Sequence, residues 1–148
     1  MKTFKEFQFA KIIFMIMIPI QIFQTFLLST RAGNNPMTIE LFVLINGVFA
    51  IAYLLFYGMT TTIDGNAIRI TYGIGLIRKT IKISEIKSVD IVTNRWYYGW
   101  GIRFIPNGIL YNINGLSGVE LTFTDKSRIV RIGSQDSASL KNAITQYL

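Results

Sequence analysis

Hydrophobic positions along this chain change their period once, near Gly58. From Ile12 to Leu28 the residues run "IIFMIMIPIQIFQTFLL", seventeen in a row without a charge, broken only by Pro19, Gln21, Gln24 and Thr25. Phe9, Ala10 and a snorkelling Lys11 extend the run to 20 residues. At about 1.5 Å of rise per residue, that length matches a hydrocarbon core of about 30 Å. Ile39 to Met59, "IELFVLINGVFAIAYLLFYGM", is a second run of 21 residues with Glu40 at its start. The two runs predict transmembrane helices over about residues 9–28 and 39–59. The first is too long for a secretory signal, and "STRAGNN" after it holds no small-x-small cleavage site. Between the runs, Asn34-Asn35-Pro36 breaks any continuous helix. Thr38 is placed to cap the second helix, with Glu40 in its first turn where the helix dipole favours an anion. The expectation is a tight antiparallel hairpin.

Beyond Met59 the period becomes two. Ile68, Ile70 and Tyr72 alternate with Arg69 and Thr71, after a turn at Asp64-Gly65-Asn66. Ile77, Ile81 and Ile83 then alternate with Arg78, Thr80 and Lys82, the connection being Tyr72 to Leu76. A turn at Ser84 to Ser88 leads to a strand over Val89 to Val92. "VELTFTDKSRIVRIG" reads as a hairpin turning at Asp125-Lys126-Ser127, with Val119, Leu121 and Phe123 on one face. Leu140, Ala143, Ile144, Tyr147 and Leu148 recur at helical spacing behind a cap from Asp136 or Ser137. Roughly seven strands and a terminal helix, with no interior βαβ helix, predict a curled antiparallel sheet closed at one end. The expected division is a helical hairpin over 1–59 and a β-domain over 60–148.

Composition narrows the chemistry. The chain has neither cysteine nor histidine and only eight carboxylates. Disulfides, thiolate nucleophiles, Cys/His zinc sites and imidazole acid–base catalysis are therefore excluded. Asp64, Asp90, Asp125 and Asp136 are scattered over turns and strand ends. "YGIGLI" lacks the following helix of a phosphate loop. No catalytic residue, metal site or cofactor is expected. The formal net charge is +7. Lys2, Lys5 and Lys11 precede the first span, and Arg69, Arg78 and Lys79 follow the second, whereas the connecting loop holds only Arg31. The positive-inside rule then expects a multi-pass membrane protein with both termini cytoplasmic.

"IKISEI", "GWGIR" and "YNINGLSGVELTF", coming after two membrane spans, resemble the bacterial pleckstrin-homology (PH-like) domain proteins. The resemblance covers roughly residues 60–148. Its most specific piece is Gly99-Trp100-Gly101-Ile102-Arg103, followed by Tyr111 to Gly115 and Gly118-Val119-Glu120. It implies a membrane-anchored α+β chain: a transmembrane hairpin followed by a PH-like antiparallel β-barrel or sandwich capped by a C-terminal helix. It also implies a non-enzymatic binding or scaffolding module. It does not imply phosphoinositide binding, whose signature needs a Lys and a Lys/Arg-x-Arg around the first hairpin turn. Here only Arg69 lies just beyond Asp64-Gly65-Asn66.

Four sets of candidate residues follow. Arg69, Arg78 and Lys82, on one sheet face, suit anionic headgroups, or simply a solvated β surface. Arg95, Trp96 and Tyr97 suit an exposed contact, since tryptophan and tyrosine favour membrane interfaces and interaction hot spots. Gly99, Trp100, Gly101, Arg103 and Glu120 read as structural, with Trp96/Tyr98/Trp100 alternating along a half-buried strand and Arg103 either pairing with Glu120 or left free for an anion. Gln21, Gln24 and Asn46 suit hydrogen bonds between helices, within the hairpin or in an oligomer. The expected partners are membrane lipids and a protein or a second copy met through the helices, with nucleic acid excluded. The alternative reading is a subunit of a membrane assembly whose helices bind the partner. An unrecognised hydrolase is the reading from another class.

Overall fold

The computed structural model describes residues 4–125 and 127–148. Lys2 and Lys126 lie outside the described residues. Two apolar helices, α1 (Lys11–Thr30) and α2 (Ile39–Phe56), stand beside two β-sheets and a C-terminal helix, an α+β layout. Thr38 caps α2 by accepting from the Leu41 amide at 3.3 Å. Both helices are long and apolar enough to cross a membrane, and almost none of their residues is fully buried in the protein.

The helices are inserted into a sheet. A strand absent from the sequence-based expectation, β1 (Phe4–Phe9), precedes α1, and β2 (Gly58–Asp64) follows α2. The two strands pair antiparallel along their whole length, from Phe4 opposite Ile63 to Phe9 opposite Gly58. One residue joins each strand to its helix: Ala10 on one side, Tyr57 on the other. The Ala10 amide donates to the Tyr57 carbonyl at 2.9 Å, so the strand ladder continues through the joint. The boundaries expected near residues 9 and 59 shift accordingly. Phe9 is in a strand, and Met59, fully buried, belongs to the sheet core.

The first sheet has the order β1-β2-β3-β4, with β3 (Ala67–Tyr72) and β4 (Ile77–Lys82). Asp64 pairs with Ala67 across a two-residue turn at Gly65-Asn66. A 3₁₀ turn, Ile83–Glu85, leads into the second sheet, whose order is β5-β8-β9-β7-β6. Its strands are β5 (Ile86–Thr93), β6 (Gly101–Ile105), β7 (Gly108–Asn112), β8 (Ser117–Phe123) and β9 (Ile129–Gly133). The β8–β9 hairpin is antiparallel, but β7 runs parallel to β9, and the two sheets do not close into a barrel. The wholly antiparallel, barrel-like arrangement expected from the chain is corrected in both respects. The parallel pair needs tight backbone approach: a Cβ on Gly108 would run into the Ile129 carbonyl.

The core lies between the sheets. Met59, Ile63, Ile68, Ile70 and Tyr72 face Val119, Leu121, Ile132, Tyr111 and Ile113. The helix α3 (Ser137–Thr145) closes one end with Leu140 and Ile144, and Asp136 caps it by accepting from the Ser139 amide at 2.9 Å. Hydrogen bonds from Ser139, chiefly its side chain and then its amide, hold the Asp136 carboxyl below the usual carboxylate range. The feet of the helices extend the same core: Ala10 is fully buried, and Ile13, Phe14 and Phe56 pack against it. Phe56 meets the Tyr72 ring edge-on at 5.8 Å. Tyr72 crosses to the second sheet, its hydroxyl 3.4 Å from the Asn112 carbonyl oxygen. Burial pushes that phenol far above its ordinary pKa, and the nearby Tyr111 phenol adds to the effect.

Candidate functional site

The end of the sandwich next to the helices carries an apolar rim. On β1 the usual polarity is inverted: Lys5, Phe7 and Phe9 point outward, while Glu6 and Gln8 point inward. Buried Gln8 donates from Nε2 to the Gly133 carbonyl at 2.8 Å. Glu6 accepts from the Ser134 hydroxyl and the Gln135 amide, both at 2.7 Å. Outside, Phe7 lies near Tyr57, and Phe9 stacks on Phe14, which stacks on Tyr53. The turn between β3 and β4 docks on the foot of α2, with the Ile74 amide donating to the Leu54 carbonyl at 3.1 Å. Ile74 and Leu76 in this turn are exposed. On a third side, Trp100 and Ile102 form a recess with Ile12, Ile13 and Ile16 of α1. Exposed apolar side chains therefore surround the point where the helices leave the sheet.

The cations expected to share a sheet face do share one. Register places Arg69 opposite Thr80, Thr71 opposite Arg78 and Ala67 opposite Lys82, all on the outer face. Lys5 joins them through Thr62. The arrangement is a column along the strands, not a ring around the helices. Arg78 is nearest the helix end, its guanidinium bonded to the Gly75 carbonyl. Lys82 lies four residues further on, about 13 Å at about 3.3 Å per residue. Arg69 has Asp64 at 3.9 Å, with both side chains well exposed, so that pair contributes little to stability.

The aromatic stretch divides. Trp96–Tyr98 forms a 3₁₀ turn, where alternation had suggested a strand. The Tyr98 amide donates to the Arg95 carbonyl at 3.0 Å, and Gly99 leaves the turn with φ of 72°. Trp96 is 75% exposed and Tyr97 55%. Arg95 lies over the Tyr97 ring, 5.7 Å from its centroid, and bonds its hydroxyl, a contact that favours the charged guanidinium. Trp100 is half-buried against α1, and its indole nitrogen has no hydrogen-bond partner among the described residues. Arg103 does not reach Glu120, because β7 and β9 stand between their strands. Its Nε donates to the Trp100 carbonyl at 2.9 Å. Glu120 instead pairs with Arg131 at 2.7 Å, the two side chains about four-fifths buried.

The amides within the helices meet. Gln21 donates to Asn46 at 3.3 Å, and Asn46 donates to Gln24 at 3.4 Å and to the Phe42 carbonyl at 2.9 Å. Tyr53, not singled out from the sequence, donates its hydroxyl to Gln21 at 2.9 Å. These polar groups are thus used inside the hairpin, and the outward helix surfaces are left to apolar side chains such as Ile22, Phe23, Leu44 and Ile51.

β4 is an outer strand of the first sheet and β6 an outer strand of the second. Ile81 of β4 and Ile109, Phe123, Ile129 and Val130 of β7, β8 and β9 line a cleft of about 390 Å³, with Lys79, Lys82 and Arg128 among its walls. Beside it, Phe104 lies opposite Ile109 in the β6–β7 ladder and is 89% exposed. Alternation alone marks Phe104 as a core residue; only the position of the facing sheet's edge shows that it is bare.

No protein-family model, curated protein or solved structure matches the chain.

Proposed function

We propose that this chain is a non-enzymatic binding module of the bacterial inner membrane, whose PH-like β-sandwich is held on the cytoplasmic face by the helix pair and serves as a scaffold or accessory subunit. The observation that carries this reading is the insertion of two apolar helices between paired strands through one-residue joints. A flexible linker would let a tethered domain tumble. Joints of one residue, reinforced by buried Ala10 and by the Leu54–Ile74 bond, give the domain a set orientation to the bilayer. The apolar rim of Phe7, Phe9, Ile74 and Leu76 then sits at the depth where such side chains are favoured. Both strands leave the helices at the same end, in keeping with termini on one side.

In this reading the lipid surface is engaged chiefly by the rim and by Arg78. A cation within a Debye length of anionic headgroups contributes about 1 kcal/mol, and the attraction fades over about 8 Å. Lys82 is too far along its strand to share it equally. The alternative, in which helix amides capture a membrane partner, loses support because Gln21, Gln24 and Asn46 already bond to one another or to their own hairpin.

The two tryptophans provide the test. Trp100 lies beside the first two turns of α1, whereas Trp96 points to solvent. In vesicles of lipid brominated near the carbonyl end of its chains, Trp100 fluorescence (measured in Trp96→Phe) should be blue-shifted and strongly quenched. Trp96 fluorescence (measured in Trp100→Phe) should respond more to aqueous iodide. Trp100 emission indifferent to brominated lipid would mean that the helix feet are not in the bilayer, and the reading would fail.

A further inference from the structure

We propose that the cleft beneath the free edge of β4 docks an extended segment of a partner protein with alternating acidic and apolar side chains, which adds as a strand to β4. This deepens the binding-module reading by naming a partner class and rests on it. Three observations converge on the site.

The first is backbone. β4 is the outer strand of its sheet and, among the described residues, pairs only with β3, so one side of its main chain is free to form a ladder. The second is apolar surface. Ile81, Ile109, Ile129 and Val130 form the cleft beneath that edge, and Phe104 extends it along β6. A strand laid on β4 would turn every second side chain into this cleft. An exposed phenylalanine next to an apolar cleft on a sheet edge marks an interaction surface more than an ordinary solvated one.

The third is charge. Lys79, Lys82 and Arg128 border the cleft, and none of them holds an ion pair among the described residues. Among the described residues of the wall, Glu85 is the one carboxylate beside three cations. Cations on an edge strand repel a second copy of the same strand, which is one way proteins prevent edge-to-edge association. The same cations attract an acidic strand and favour it over neutral or basic ones. The charge on β4 therefore selects against self-pairing and for an acidic occupant.

The test uses the full chain in phosphatidylcholine nanodiscs and fluorescence anisotropy with short labelled peptides. A peptide of alternating glutamate and valine should bind, and binding should weaken as salt is raised. The same peptide with a central proline, which cannot complete a ladder, should bind about tenfold more weakly or worse. Lysine–valine peptide should not bind. Lys79→Glu/Lys82→Glu and, separately, Phe104→Ser should each weaken glutamate–valine binding about tenfold. All three positions are exposed, so unchanged thermal melts would confirm that the variants fold. Equal affinity for the proline peptide, or no binding of the glutamate–valine peptide, overturns the proposal. So does tight binding of dodecanoate without peptide binding, which would make the cleft a site for small amphiphiles. None of these outcomes depends on tryptophan depth, so failure here and failure of the bilayer reading are separable.

Discussion

A chain that begins at Thr60 should not yield a stably folded domain, whereas one in which Phe9 is joined to Gly58 through an Asn-Gly turn should. The first cut follows the division that hydrophobicity alone suggests. It removes β1 and the buried Met59, and it exposes the β2 edge. It also removes the bonds from Gln8 to Gly133, and from Glu6 to Ser134 and Gln135. A hydrogen bond to a charged group contributes about 1.5–3 kcal/mol and a neutral one about 1 kcal/mol. The three together approach about 5 kcal/mol, comparable with the whole stability of a small domain. The second chain keeps β1, and because Phe9 and Gly58 are cross-strand neighbours, a two-residue turn closes the gap. Urea unfolding followed by circular dichroism distinguishes the two. A cooperative transition for the chain starting at Thr60 would show that β1 is dispensable.

The second large effect is expected at Gly73. Its φ is 49°, and a Cβ there would collide with the backbone of Leu54 and Leu55 at the foot of α2. Gly73→Ala would therefore combine left-handed strain of about 1–2 kcal/mol with overpacking of about 1–3 kcal/mol. Gly65→Ala is the matched control: φ is 57°, but the space around it is open, so only the strain applies. Thermal melts in detergent should place Gly73→Ala well below Gly65→Ala, and Gly65→Ala modestly below the parent. Equal melting temperatures for the two variants would mean that the β3–β4 turn does not rest on the helix.

The strands of the tail were legible because their alternation matches their burial. Ile68, Ile70 and Tyr72 are buried, and Arg69 lies outside. The terminal helix and its Asp136 cap were legible for similar local reasons. β1 was not, because its outward residues are Phe7 and Phe9 and its inward ones Glu6 and Gln8, the reverse of a soluble strand. Phe9 also merged with the apolar run that follows it. The outer-face position of Arg69, Arg78 and Lys82 followed from strand parity, whereas their unequal distance from the helices needed the register. The separation of Arg103 from Glu120 depends on the crossover that inserts β9 and β7 between β8 and β6, which no local pattern encodes. The open edge beside Phe104 is likewise a property of where the sheets stop.

The central claim is that the helix pair interrupts a sheet between two paired strands. The chain has no cysteine, so a single engineered pair reports on it without background. Lys5 and Thr62 are cross-strand partners, and antiparallel neighbours have Cα atoms about 4.5–5.5 Å apart, within disulfide reach. Lys5→Cys/Thr62→Cys, oxidised in native membranes, should form an intramolecular disulfide. Lys5→Cys/Arg69→Cys, two strands apart at about 10 Å, should not. Failure of the first pair to cross-link, or cross-linking of both pairs alike, would contradict the pairing of β1 with β2 and with it the proposed attachment of this domain to a membrane.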